Sequence, residues 1–221
     1  MMRTSTWLRV RGRVAIALAA IAVASIASVA RAQTAASSPR LPAAVEAAVN
    51  RVADSARARG LPTEPLFAKA AEGALKGADP TRIVDAVRGL ARELDVARQS
   101  LGNGVSSAEL VAAASSLHAG VTPSQLTHLA RVADERGTSD RLVMPFVVLA
   151  DLVARHVTAD IAVSSIETLV ARGAPDAQFA SLRAAIERDI ASGERPDAAA
   201  QVRSAAVLRT LEPRSMPRPP T

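Results

Sequence analysis

The feature that most constrains this chain is a recurring punctuation. A glycine is followed by a small or apolar residue, then by Ser, Thr, Asp or Pro. The pattern occurs at Gly60-Leu61-Pro62-Thr63, Gly77-Ala78-Asp79-Pro80, Gly104-Val105-Ser106, Gly120-Val121-Thr122-Pro123, Gly137-Thr138-Ser139 and Gly173-Ala174-Pro175-Asp176. His156-Val157-Thr158 is a further instance in which histidine replaces the glycine. Glycine just past a helix end adopts left-handed backbone at little steric cost, and the apolar residue after it can fold back on the helix it has left. Ser, Thr or Asp then accepts a hydrogen bond from an orphan amide of the next helix. Pro80 and Pro123 fall at the first helical position, where no amide is missed. Ser106 with Glu109, and Thr122 with Gln125, have the spacing of capping boxes. Gly77, Gly120, Gly137 and Gly173 are therefore expected to end helices with positive φ.

Between these marks Ala, Leu, Arg and Glu predominate, all good helix formers, and no run alternates long enough for a strand. The sequence thus predicts an all-α fold: eight or nine short helices over residues 43–211, stacked as antiparallel helix-turn-helix pairs in a short solenoid or an irregular bundle. The spacing supports stacking. Gly60 to Gly77 is 17 residues, Gly104 to Gly120 is 16, Gly120 to Gly137 is 17 and His156 to Gly173 is 17. Gly120-Val121-Thr122 returns as His156-Val157-Thr158 at an offset of 36, and Gly137 returns as Gly173 at the same offset. Gly60 to Gly104 reads as a longer copy with Gly77 in its middle. Periods of this size mark stacked helical repeats.

Apolar stripes at helical spacing mark the packing faces. Ile83, Val87, Leu90 and Leu94 form one, and Phe179, Leu182, Ile186 and Ile190 another. Residues 142–153, LVMPFVVLADLV, carry a single charge at Asp151. A helix apolar nearly all round is a buried one, so this segment is the expected central helix. Val143, Phe146, Leu149, Leu152 and Val153 should be inaccessible, and Pro145 should sit in the first turn, where proline is tolerated.

The N-terminus has the three zones of a Sec-type signal peptide over residues 1–32. Arg3, Arg9, Arg11 and Arg13 form a positive region, residues 14–29 an apolar run, and Ala30-Arg31-Ala32 a small-x-small cleavage pattern before Gln33. The run is shorter than the ~20 residues a spanning helix needs. Export to the periplasm or outside the cell is the expectation. Cleavage would remove five arginines from 27 basic residues, leaving 22 against 21 acidic ones. The formal +6 of the whole chain is thus no argument for nucleic-acid binding, and membrane contact after cleavage is not expected. Residues 33–42 read as a flexible leader. Residues 212–221, with Pro213, Pro217, Pro219, Pro220, Arg214 and Arg218, read as an extended tail that cannot continue a helix.

Catalytic patterns are scarce. There is no cysteine, no Gly-x-Ser-x-Gly elbow, no Ser-x-x-Lys and no phosphate loop. The three histidines, His118, His128 and His156, show no metal-ligand spacing. A site with Asp134, Asp151 or Asp160 would need them to converge in space. No cofactor, no metal and no enzymatic activity is expected. One polar group stands out. Lys69 and Lys76 are the only lysines, and they share a helix face with Glu72, a spacing that suits ion pairing. Lys69, Glu72 and Lys76 are the candidate contact patch for a protein partner.

These residues also carry a resemblance. The segment that opens GLPTEPLFAKAAEGALKGADP is similar to a stretch of uncharacterised secreted bacterial helical proteins, in its Gly-Leu-Pro, Lys-x-x-Glu-Gly and Lys-Gly elements. It covers about a sixth of the exported chain, and it implies no activity. The expected function is an exported, non-enzymatic helical scaffold or interaction protein of the periplasm or cell envelope. The alternatives are a membrane-surface or lipid-binding helical protein, and an enzyme of unidentified type.

Overall fold

The computed structural model describes residues 41–211. The expected signal segment, all but the end of the leader and the Pro/Arg tail lie outside the described residues. Within them the chain forms nine α-helices and no strand. They are α1 (Ala43–Ala58), α2 (Glu64–Leu75), α3 (Pro80–Leu101), α4 (Ser107–Ala119), α5 (Pro123–Glu135), α6 (Val143–Ala154), α7 (Ala159–Ala171), α8 (Asp176–Ala191) and α9 (Pro196–Leu211). A single 3-10 turn, Ser139–Arg141, precedes α6.

The glycine punctuation ends the helices as expected. Gly77, Gly120, Gly137 and Gly173 all have positive φ. At Gly120 the amide donates to the Leu117 carbonyl and the next amide, Val121, to Ser116. At His156 the two bonds recur 36 residues on, from His156 to Val153 and from Val157 to Leu152. This paired arrangement is the Schellman motif. It closes α1, α2, α4, α5, α6, α7 and α8. Leu61, Val121 and Val157 follow the left-handed residue and are buried, each folding back on the helix just ended. His156 is the one described non-glycine residue with positive φ, at 68°. Helix α3 ends differently. Its cap is Gly102, with φ 84°, and Gly104 is not in the left-handed region, so the mark read at Gly104 belongs two residues earlier.

Both capping boxes form, Ser106 with Glu109 and Thr122 with Gln125. Glu109 does more than cap. Its Oε2 accepts from the Ser106 amide and hydroxyl, each at 2.8 Å, and its Oε1 from the Leu142 amide at 3.4 Å. One buried carboxylate thereby ties the start of α4 to the residue before α6. Thr158 lacks the box of its counterpart Thr122. Its amide donates instead to Asp197 at 2.8 Å, on α9.

The helices stack in two rows. The odd-numbered helices α1, α3, α5, α7 and α9 pack each on the next, while α4, α6 and α8 form the second row. Neighbours within a row run parallel. Gln125 reaches Asp160 and His128 reaches Glu167 between α5 and α7, and Asp151 and Arg155 reach Arg183 and Glu187 between α6 and α8. Helices α4 and α6 pack closely because Ala112, Ala113 and Ser116 present little side chain. The Ser116 hydroxyl donates to the Phe146 carbonyl at 2.9 Å. In α6, Phe146, Val148, Leu149 and Leu152 are buried and Pro145 lies in the first turn.

Four expectations about burial need correction, one of them at Ile190, which ends its stripe on α8 only half-buried. Val143 is 36% exposed and Val153 only half-buried. Helix α6 is flanked by α4, α7 and α8, which cover three sides and leave Val143 and Val147 on a fourth. In α3, Ile83, Val87 and Leu94 are buried, but Leu90 is half-buried. The reason is a break in the second row, and it defines the site.

Candidate functional site

Helix α2 and helix α4 both pack on α3, and between them a groove of about 480 Å³ opens. Its floor is α3, through Ala86, Gly89 and Leu90. Its walls are Pro65 and Lys69 from α2, and Val111, Ser115 and His118 from α4. Where α4, α6 and α8 lie side by side in their row, the place beside α4 toward α2 is left as this groove. Ala86, Gly89, Leu90 and Glu93 fall at i, i+3, i+4 and i+7, the pattern of a helix face that packs on another helix.

Two glycines show how the region is built. A Cβ placed on Gly73 in α2 would lie 2.9 Å from Ile83 Cγ1, so glycine is what lets α2 settle on α3. A Cβ on Gly89 would meet nothing closer than Arg92 Nη2 at 3.9 Å. Glycine inside a helix is destabilising by roughly 0.5–1 kcal/mol relative to alanine. That cost has a packing reason at Gly73 and none within the described residues at Gly89.

The charges at the rim are already engaged. Lys69 pairs with Glu72 at 3.1 Å, Asp85 with Arg88 at 3.3 Å and Glu93 with His118 at 2.9 Å. The predicted patch is brought together, with Glu72 bridging Lys69 and Lys76, the latter at 2.5 Å. Hydrogen bonds from Lys76 and then Lys69 hold the Glu72 carboxyl below its ordinary value of 4.5. Of the three residues only Lys69 lines the groove. Phe67 and Leu75, 40% and 71% exposed, stand on the same helix.

The histidines go to different partners. His118 takes Glu93, and His128 takes Glu167 at 2.9 Å, while His156 serves as a helix-end residue. Asp151 pairs with Arg183 and Asp160 accepts from Gln125. Among the described residues no group of three His, Asp or Glu is placed to hold a metal ion. Nor is any described helix long and apolar enough to cross a membrane.

Sequence reasoning missed Leu90, Gly89 and His118 as groove residues. Leu90 looked like core because it keeps the period of Ile83, Val87 and Leu94. Gly89 gave a signal, since a lone glycine inside a strong helical pattern asks for a packing reason. No family model, curated protein or solved structure matches this chain.

Proposed function

We propose that this chain is an exported, non-enzymatic helical scaffold of the periplasm or cell envelope, and that it seats an apolar helical segment of a partner protein between α2 and α4. The observation that carries this reading is Gly89. It lies on the floor of an open groove, where the chain's own packing has no need of a glycine. Absence of a Cβ allows close backbone approach. The i, i+3, i+4, i+7 floor suits a helix laid in a groove. Lys69, Asp85 and Glu93 at the rim already have partners within the chain, so the groove favours an apolar face over a charged ligand. Export is supported by the arginine region, apolar run and Ala30-Arg31-Ala32 pattern. A scaffold role is supported by the separate engagement of His118 and His128. A membrane-surface role is the second reading, favoured by the exposed Phe67 and Leu75.

A photoreactive residue at Ala86, introduced in the exporting cell, tests the groove. The expected product is a crosslink to one partner segment with apolar residues at helical period, abolished when Gly89→Leu fills the floor. A control position at Ser181 on α8 should not give it. Crosslinking to lipid chains would support the membrane-surface reading. Equal products from both positions, products that survive Gly89→Leu, or none at all would overturn the partner reading. Export has its own test. The intact mass of the exported protein should correspond to a chain starting at or near Gln33, and recovery of the full-length chain in the cytoplasm would contradict it.

A further inference from the structure

A second groove, of about 380 Å³, runs between α1 and α3 on another face of α3. Arg51 from α1, Arg59 from its C-terminal cap, and Arg88 and Arg92 from α3 line it, over a floor that includes Val52 and Ala91, and no acidic residue lines it. Two of the four arginines are partly engaged. Arg59 Nη1 lies 3.1 Å from Asp95 while its Nε donates to the Ser55 carbonyl, and Arg88 Nη1 lies 3.3 Å from Asp85, which leaves each five-donor guanidinium with further N–H groups. The other two have no carboxylate partner among the described residues. Arg51 donates only Nε, to the Ala47 carbonyl. Arg88 and Arg92 are also like charges at i,i+4, an arrangement that destabilises a helix. The exported chain would be nearly neutral, so this convergence is a matter of placement and not of composition.

We propose that the α1–α3 groove binds a phosphate-bearing anion with at least two charged groups, of the diphosphate class. Guanidinium is the group that recognises phosphate through paired, planar N–H donors. Arg51 and Arg92 face the groove from opposite helices with donors to spare, so a ligand with two phosphates can engage both walls. Arg59 and Arg88 add charge from the same walls while keeping their carboxylates. The same chemistry is presented by free diphosphate and by neighbouring headgroups of an anionic membrane.

Calorimetric titration of the purified protein with inorganic pyrophosphate separates these sources when run beside co-sedimentation with phosphatidylcholine vesicles, with and without phosphatidylglycerol. Pyrophosphate binding that weakens tenfold or more in the Arg51→Gln/Arg92→Gln variant supports the site with a free ligand. Binding to phosphatidylglycerol vesicles alone, lost in the same variant, supports it with a headgroup ligand. Either should weaken as salt rises. The variant should melt no lower than the parent, because neither side chain holds an ion pair and Arg92→Gln relieves the like-charge contact with Arg88, and Arg172→Gln on α7's C-terminal end should bind as the parent does. No binding to either probe, or binding that the double variant leaves unchanged, would overturn the proposal.

Discussion

Helices α1–α3 and helices α4–α9 are made from the same parts and put to different use. From α4 onward each helix is matched by the next one in its row. Ser116 bonds to Phe146, Asp151 to Arg183, and the Arg136 guanidinium to the Ala171 carbonyl. The cavity beside Thr138 and Phe179 measures only about 10 Å³, room for at most one water. Helices α1 and α2 end in the same Schellman turns, yet around α3 open grooves remain, among them those toward α1 and between α2 and α4. Four arginines converge in one, and the other has a glycine floor. Regular helix ends therefore set the path of the chain without deciding whether neighbouring helices close on each other. Closure depends on a complementary face, which α4 and α6 have and α2 and α4 lack.

The largest expected contrast is in the core. Phe146, fully buried in the closed region, should cost about 3–5 kcal/mol when changed to Ala. Leu90→Ala in the open region should cost well under half of that, because part of its surface already faces the groove. Urea denaturation of the two variants gives the comparison, and equal losses would mean that Leu90 belongs to the core after all. Glu109→Ala should follow at about 2 kcal/mol, since it removes a cap and leaves the buried Leu142 amide without its acceptor.

Helix ends come next. Gly120→Val should destabilise by roughly 1–2 kcal/mol, because a β-branched residue is strained at φ 115°. His156 occupies the equivalent place at φ 68°, so His156→Gly should stabilise by about 1 kcal/mol. Opposite signs at positions 36 residues apart would show that the two turns are one motif.

The far end of the array has a pH signature. Arg203 on α9 grips Asp189 on α8 through both carboxylate oxygens, at 2.5 and 2.6 Å. That hydrogen bonding holds the Asp189 carboxyl below its ordinary value of 3.8. A depressed carboxyl pKa adds stability that is full above the unfolded value and lost as pH falls toward the folded one. Acid unfolding should therefore gain a component below pH 3.8, absent in Arg203→Met. An identical acid profile in the variant would remove this clamp from the account.

What was legible in the sequence was local. Helix caps and Schellman ends depend on residues within five positions of each other, and Gly77, Gly120 and Ser106–Glu109 could be read directly. The 36-residue offset carried some long-range information, because parallel neighbours in a row meet at about that separation. It also held a clue to the arginine groove, since Arg59 meets Asp95 at an offset of 36, although the convergence of Arg51, Arg59, Arg88 and Arg92 was not read from it. Leu90 and Val143 were misread because apolar period says which face is apolar and not whether a neighbour covers it. The pattern points to Gly104, followed by Val105 and Ser106, and not to Gly102, followed by Asn103 and Gly104, yet it is Gly102 that caps α3. Of the candidate patch, Lys69, Glu72 and Lys76 do form a linked group, but only Lys69 reaches the groove.

If the first three helices are shaped for something other than their own packing, Gly73→Ala and Gly89→Ala should change stability in opposite directions. Alanine at either position gains roughly 0.5–1 kcal/mol of helix preference. At Gly73 that gain should be overcome by the clash with the buried Ile83, since overpacking costs typically 1–3 kcal/mol, for a net loss of stability. At Gly89 nothing opposes it, so Gly89→Ala should unfold at higher urea than the parent. A Gly89→Ala protein that is less stable, by as much as Gly73→Ala, would show that the glycine serves the chain's own packing and would contradict the account.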